Sequence, residues 1–182
     1  MNIVIAIDCW ERDGTWKKDR MVEYCNNPDN NIEAVLFATY NYDHDIDKDV
    51  RPPGSRTSAY MTSRLTVPYE ELIPEVYGDM SYIERPCDKN RQDILLLERS
   101  YDFESIIMMG GAWKDCLHDR SYGIKNLHLF LPHKEILVEP STIIHTRGAV
   151  IDGTTSYDIV NGDKDWTPKT DGLFKYSPSN RT

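Results

Sequence analysis

The segment SIIMMGGAWKDCLHDRSYGI, residues 105–124, decides both the fold and the candidate chemistry. Its apolar run ends in Gly110 and Gly111, a pattern typical of a buried strand that leads into a tight turn. Five residues after the second glycine comes Cys116, which the pattern places in the first turn of a helix. The thiol is therefore either a nucleophile or a small buried residue at a strand-to-helix turn.

Strands and helical segments alternate along the rest of the chain. Short apolar runs predict five strands: NIVIAID (2–8), IEAVLFATYN (32–41), MSYIERP (80–86), FESIIMMGG (103–111) and KEILVEPSTIIH (134–145). Helices are predicted at residues 15–26, VPYEELIPEVY (67–77), the amphipathic NRQDILLLERSYD (90–102) and DCLHDRSYGI (115–124). This alternation predicts an α/β fold with a mostly parallel sheet.

The chain length suits one domain with a substantial core. We predict an α/β domain over residues 1–147 and a polar, turn-rich extension over residues 148–182. The extension suits an arm that packs on the domain or on a partner subunit, so we expect a homo-oligomer.

The composition limits the binding partners and the cellular compartment that we expect for the protein. The formal net charge is −9 and the pI about 5.0, which argues against nucleic-acid and anionic-membrane binding because both need a basic face. No apolar run approaches the ~20 residues of a membrane-spanning helix, and no signal peptide is recognised. We read the four cysteines as free thiols in a reducing compartment, and so expect a cytoplasmic protein with a small-molecule substrate.

Three chemical groups follow predicted strands. Asp8 follows the first strand, Arg85 ends the third, and the turn to Cys116 follows the fourth. The carboxyl ends of parallel strands meet at one sheet edge, where ligands bind, so we expect these groups to be neighbours. A helix start favours a thiolate, a carboxylate can accept the thiol proton, and a cation can stabilise developing charge. Each signal alone has a structural explanation: a buried cysteine, a turn cap, plain turn chemistry.

Their order and spacing resemble the isochorismatase-like cysteine hydrolases, the family that includes nicotinamidases. IVIAIDCW (3–10) is similar to the family's opening strand, with Asp8 in place and Trp10 where Gln is common. GAWKDCL (111–117) resembles the nucleophile turn, and YIERPCDKNRQDILLLERSYDFESIIMMGG (82–111) follows the layout between them.

The resemblance implies a doubly wound α/β fold with helices on both faces of the sheet. It also implies amide hydrolysis by a triad, with Asp8 as general base, Cys116 as nucleophile and backbone N–H groups around residues 113–116 as the oxyanion hole. The family's catalytic Lys falls on Arg85, which keeps the charge but not the shape or the proton chemistry.

Two further sets of residues complete the prediction. The candidate substrate-binding residues are Trp10, Tyr40, Ala112 and Trp113. Nicotinamidases carry metal ligands after the second strand, where this chain has the acidic segment 41–49; we read it as a solvated loop and predict neither metal nor cofactor.

The sequence thus leaves two main functions open, since a third, a nucleotide-binding α/β domain, has neither a G-x-G-x-x-G motif nor a P-loop to support it. The first is a cysteine-dependent hydrolase of a small amide or a related molecule. The second is a catalytically inactive member of the same fold that acts as a binding or structural protein.

Overall fold

The computed structural model describes residues 1–9, 15–38, 57–72, 88–114, 116–145 and 155–178. Its strands are β1 (Asn2–Ile7), β2 (Ile32–Ala38), β3 (Tyr69–Leu72), β4 (Ser105–Ala112), β5 (Glu135–His145), β6 (Trp166–Pro168) and β7 (Phe174–Tyr176). Its helices are α1 (Thr15–Asn26), α2 (Ala59–Thr62), α3 (Asp88–Ser100), α4 (Cys116–Asp119), α5 (Ile124–Phe130) and α6 (Ser156–Asn161).

The strands form one mixed sheet in the order β3-β2-β1-β4-β5-β7-β6. The first five strands in this order pair in parallel. β7 runs antiparallel to β5, and β6 runs antiparallel to β7. The strand pairing therefore changes from parallel to antiparallel on this side of the sheet. The predicted α/β fold with a mostly parallel sheet is confirmed, and β1 and β4 lie side by side at its centre.

β1 is buried on both faces because its residues are apolar at every position from Ile3 to Ile7. Ile5 points into a core cluster that includes Leu97 of α3 and Leu127 of α5. Val4 points into a second cluster, which includes Met21 of α1. Residues of α3 and α5 thus share one apolar cluster with β1, and a residue of α1 shares the other. Each buried aliphatic side chain contributes roughly 2 kcal/mol of hydrophobic stabilisation.

Local patterning located several elements correctly. The helix predicted at residues 15–26 is α1, the amphipathic segment is α3, and strands were found at β1, β2, β4 and β5. Their apolar periodicity is a local property, which is why it can be read from the sequence.

The helix predicted at residues 115–124 is wrong as a single element. α4 ends after one turn, and α5 begins at Ile124. The Gly123 N–H donates to the Arg120 carbonyl at 2.7 Å, and the Asn126 side-chain amide donates to the same oxygen at 3.1 Å. These bonds close a turn that interrupts the helix.

The helix predicted within residues 67–77 is not found at Tyr69–Leu72, which forms the strand β3, and residues 73–77 lie outside the described residues. The Val35 N–H donates to the Pro68 carbonyl at 2.9 Å, and the Tyr69 ring meets Phe37 edge to face. Pairing with β2 therefore overrides the local pattern. The strand predicted at residues 80–86 lies outside the described residues.

The carboxyl-terminal residues contribute to the sheet and to its core. Trp166 of β6 and Phe174 of β7 are buried in the same cluster as Ile5. The Glu135 carboxylate on β5 accepts a hydrogen bond from Nζ of Lys175 at 2.7 Å, which adds a side-chain contact between β5 and β7. The predicted boundary between residues 147 and 148 lies outside the described residues. Among the residues described here, no helix has the length and apolar character that a bilayer crossing requires.

Candidate active site

Two glycines lie near the carboxyl end of β4, where the backbone leaves little room for a side chain. Gly110 has φ +83, and a Cβ built on it would lie 2.2 Å from the Ile7 carbonyl oxygen and 2.7 Å from the Cys9 sulfur. Gly111 has φ +46, and its Cβ would lie 3.1 Å from Cβ of Cys116. The glycine pair thus lets β4 approach β1 closely and lets Cys116 fold back against the strand end.

Two non-glycine residues at the same edge also have left-handed backbone. Asp8, directly after β1, has φ 52, and Lys114, in the turn after β4, has φ 64. Such conformations cost about 1 kcal/mol or more per residue and concentrate at functional sites. Of the three such residues in the described parts of the chain, two therefore lie beside the predicted chemistry, and the third, Asn31, precedes β2.

The thiol, the carboxylate and a cation meet at this edge. Nη2 of Arg120 lies 3.5 Å from Oδ2 of Asp8 and 3.7 Å from Sγ of Cys116. The Asp8 side chain is 4% exposed and that of Arg120 is 14% exposed. One guanidinium nitrogen therefore lies within 4 Å of both groups that the sequence singled out as base and nucleophile.

Arg120 was missed by the sequence prediction, which assigned the cation to Arg85. Arg85 lies outside the described residues. A signal for Arg120 was present, since a residue four positions after Cys116 shares its helix face. That signal was incomplete, because α4 ends at Asp119 and Arg120 enters the turn that follows.

The described cysteines differ in exposure. Cys9 and Cys25 are buried, whereas Cys116 is partly exposed. Burial raises the pKa of the Cys25 thiol to about 12, so that thiol stays protonated and inert near neutral pH. Among these three, Cys116 alone combines solvent access with a neighbouring guanidinium.

Contacts made by Lys114 hold the turn that leads into Cys116. The Lys114 N–H donates to Nδ1 of His118 at 3.1 Å, and the Lys114 ammonium lies 3.0 Å from the buried carboxylate of Asp163. The Lys114 N–H is thus used within the protein, and the oxyanion hole expected around residues 113–116 stays a prediction. Burial lowers the pKa of His118 to about 4, so its imidazole is neutral at pH 7.

Trp113 is part of an aromatic core cluster. The residue is 4% exposed, and its ring centroid lies 4.7 Å from that of His118 and 5.2 Å from that of Trp166. The predicted contact of Trp113 with a substrate stays a prediction, as does that of Ala112, the last residue of β4.

Trp10, Tyr40 and the acidic segment 41–49 lie outside the described residues. The described residues that flank these segments in the sequence form backbone hydrogen bonds at Asp8 or at its neighbour Cys9. The Asp8 N–H donates to the Ala38 carbonyl at 3.1 Å, and the Ser58 N–H donates to the Cys9 carbonyl at 3.0 Å. Within the described parts of the chain, no group of three or more His, Cys, Asp or Glu residues is arranged to hold a metal ion.

Comparison of the chain with protein-family models, with curated proteins and with solved structures found no match in any of the three. The chemistry of the site therefore has to be argued from its own geometry.

Proposed function

We propose that the protein is a cysteine-dependent hydrolase of a small amide or a related molecule, with Cys116 as nucleophile, Asp8 as general base and Arg120 as the stabilising cation. One observation carries the proposal: a single Arg120 nitrogen lies 3.5 Å from the Asp8 carboxylate and 3.7 Å from the Cys116 sulfur. A cation beside a partly exposed thiol favours the thiolate, which is the reactive form.

The reaction divides into two steps. The Cys116 sulfur forms a bond to the substrate carbonyl carbon, and the thiol proton passes to Asp8. The C–N bond then breaks, and the leaving amine takes that proton from Asp8. A water molecule hydrolyses the resulting thioester, which releases the acid and restores the thiol. Arg120 stays protonated throughout and stabilises the negative charge on sulfur.

The resemblance to isochorismatase-like hydrolases supports the same assignment and implies the doubly wound arrangement of that family. Asp8 follows β1 and Cys116 follows β4, and these strands are paired neighbours in the sheet. The chain differs from the family pattern in its cation. Arg120, from the nucleophile's own turn, is well placed to supply the charge that the family takes from a lysine, while Arg85 stays a prediction for that role.

A binding or structural protein is the second candidate, and the ion pair itself favours it. An arginine paired with Asp8 makes that carboxylate a weaker acceptor for the thiol proton. On this alternative the Arg120–Asp8 pair fastens the turn after α4 to the end of β1, and Cys116 fills space.

Thiol reactivity distinguishes the two candidates. The native protein is exposed to limiting iodoacetamide at pH 7, and the modified cysteines are mapped by peptide mass spectrometry. We expect Cys116 to react at least tenfold faster than Cys9 and Cys25, and D8N to slow that reaction. Asn is the matched replacement because it tolerates the left-handed φ of 52 at this position. Equal, slow alkylation of all described cysteines would favour the structural candidate.

Substrate turnover is then tested directly. A panel of small amides is screened for ammonia or amine release, with C116S as the inactive control. A thioester adduct, detected as a mass increase on Cys116 and absent from C116S, would identify the covalent intermediate. Turnover that persists in C116S would overturn the assignment of the nucleophile.

A further inference from the structure

A lysine and a serine that are distant in sequence meet outside the Cys116 site. Nζ of Lys17, in the first turn of α1, lies 3.3 Å from Oγ of Ser156, in the first turn of α6. The two residues are separated by 139 positions, and both helices pack against β5. The contact therefore exists only because the tertiary structure brings two helices together.

Burial makes it easier for the Lys17 ammonium to lose its proton than it would be in water. Lys17 is 7% exposed, and burial lowers the pKa of its ammonium group. The carboxylate of Glu139, on β5, acts in the opposite direction but is the smaller influence. Glu139 in turn accepts a hydrogen bond from the Ser141 hydroxyl. A neutral amine next to a hydroxyl can accept its proton, which is how a Ser–Lys pair generates a nucleophile.

A Ser–Lys pair needs a serine that solvent can reach and a lysine that solvent cannot, and Ser156 and Lys17 differ in this way. Ser156 is partly exposed, whereas Lys17 is buried. A reagent in solvent can thus reach the hydroxyl while the amine stays desolvated.

We propose that Ser156 is a second nucleophile, with Lys17 as its general base, and that it takes acyl groups from small carboxylic esters. In the first step the Ser156 proton moves to the neutral Lys17 amine as Oγ forms a bond to the ester carbonyl carbon. The alkoxide leaves with the proton from the Lys17 ammonium. Water then hydrolyses the acyl-serine and frees the acid. This chemistry uses neither Cys116 nor Asp8.

A fluorophosphonate probe tests the pair without knowledge of the ester. Such a probe forms a phosphorus–oxygen bond with an activated serine and expels fluoride. The full-length protein is incubated with the probe at pH 8, and the labelled site is located by tandem mass spectrometry. We expect the adduct on Ser156, complete loss of it in S156A, and labelling at least tenfold slower in K17M.

Two further variants keep the test decisive. K17R retains a cation that cannot act as a base, so it is expected to label as slowly as K17M. Circular dichroism of K17R checks that the variant folds. S141A is the control variant. The exposed Ser141 hydroxyl is hydrogen-bonded to the Glu139 carboxylate and not to a lysine, so we expect S141A to label like the unaltered protein. No adduct on Ser156, adducts spread over several serines, or fast labelling of folded K17R would each overturn the proposal.

Discussion

Arg120 and Asp8, 112 residues apart in the sequence, form an ion pair with Nη2 and Oδ2 separated by 3.5 Å and both side chains largely buried. The pair joins the turn after α4 to the end of β1. It therefore couples the position of the candidate nucleophile to the centre of the sheet.

Removing one partner of this pair should destabilise the protein more than removing both. R120M leaves the 4% exposed Asp8 carboxylate without that guanidinium, and we expect it to lower the free energy of unfolding by about 2–3 kcal/mol. The double variant D8N/R120M should recover part of that loss, since neither charge of this pair is then left buried without the other. Urea unfolding of the single and double variants measures the coupling. Simple additivity of the two single changes would contradict the pairing.

Arg120 should also control the reactivity of the thiol. Loss of the guanidinium 3.7 Å from Sγ removes a stabilising charge from the thiolate, so R120M should slow alkylation of Cys116 at pH 7 about tenfold. R120K should retain part of the rate. R64M is the matched control, because the Arg64 guanidinium stacks on the Tyr60 ring and donates to the Tyr60 carbonyl at 3.0 Å. The rate is followed by mass spectrometry of the Cys116 peptide, and an unchanged rate in folded R120M would exclude the role.

Gly110 should tolerate no side chain. G110A would place Cβ 2.2 Å from the Ile7 carbonyl oxygen at a left-handed φ, so we expect destabilisation of at least ~3 kcal/mol. Gly172 is the matched control, because it has the same φ of +83, but a Cβ added there would meet no atom of the described residues within 4 Å beyond its chain neighbours. G172A should cost only the backbone strain of about 1 kcal/mol. Thermal unfolding of both variants separates crowding from strain, and equal losses would contradict this explanation.

His118 should make the protein sensitive to acid. Its pKa is lowered to about 4 in the folded protein and returns to the ordinary value of 6.5 on unfolding. The unfolded chain therefore binds more protons between these values, and stability falls as the pH decreases from about 7 towards 4. We expect a loss of about 2 kcal/mol between pH 7 and pH 5 from this residue.

The H118N variant tests that assignment. Its side-chain oxygen can replace Nδ1 as acceptor for the Lys114 N–H, yet it does not titrate. We expect its stability at pH 7 to stay within about 1 kcal/mol of the unaltered protein, and its loss between pH 7 and pH 5 to be smaller. Parallel acid-unfolding curves for the two proteins would show that another group is responsible.

The amino-acid sequence by itself determined the elements with a strong local period. β1, β2, β4 and β5 are short apolar runs, and α3 has Ile94 and Leu97 buried on one helical face, so neighbouring residues are enough to identify them. The positions of Asp8 and Cys116 at strand ends follow from the same runs. The glycine pair at residues 110–111 marks the turn between strand and thiol.

Tertiary structure alone decided which cation joins that site and how the edges of the sheet are built. Arg120 reaches Asp8 because the turn closed by Gly123 ends α4 after four residues, a competition between local helix and turn that no periodicity records. Tyr69–Leu72 is a strand because β2 offers it hydrogen-bond partners. The contact of Lys17 with Ser156 likewise spans 139 positions. Such contacts depend on which surfaces meet after the chain has folded. Their energies therefore cannot be inferred from any short stretch of sequence.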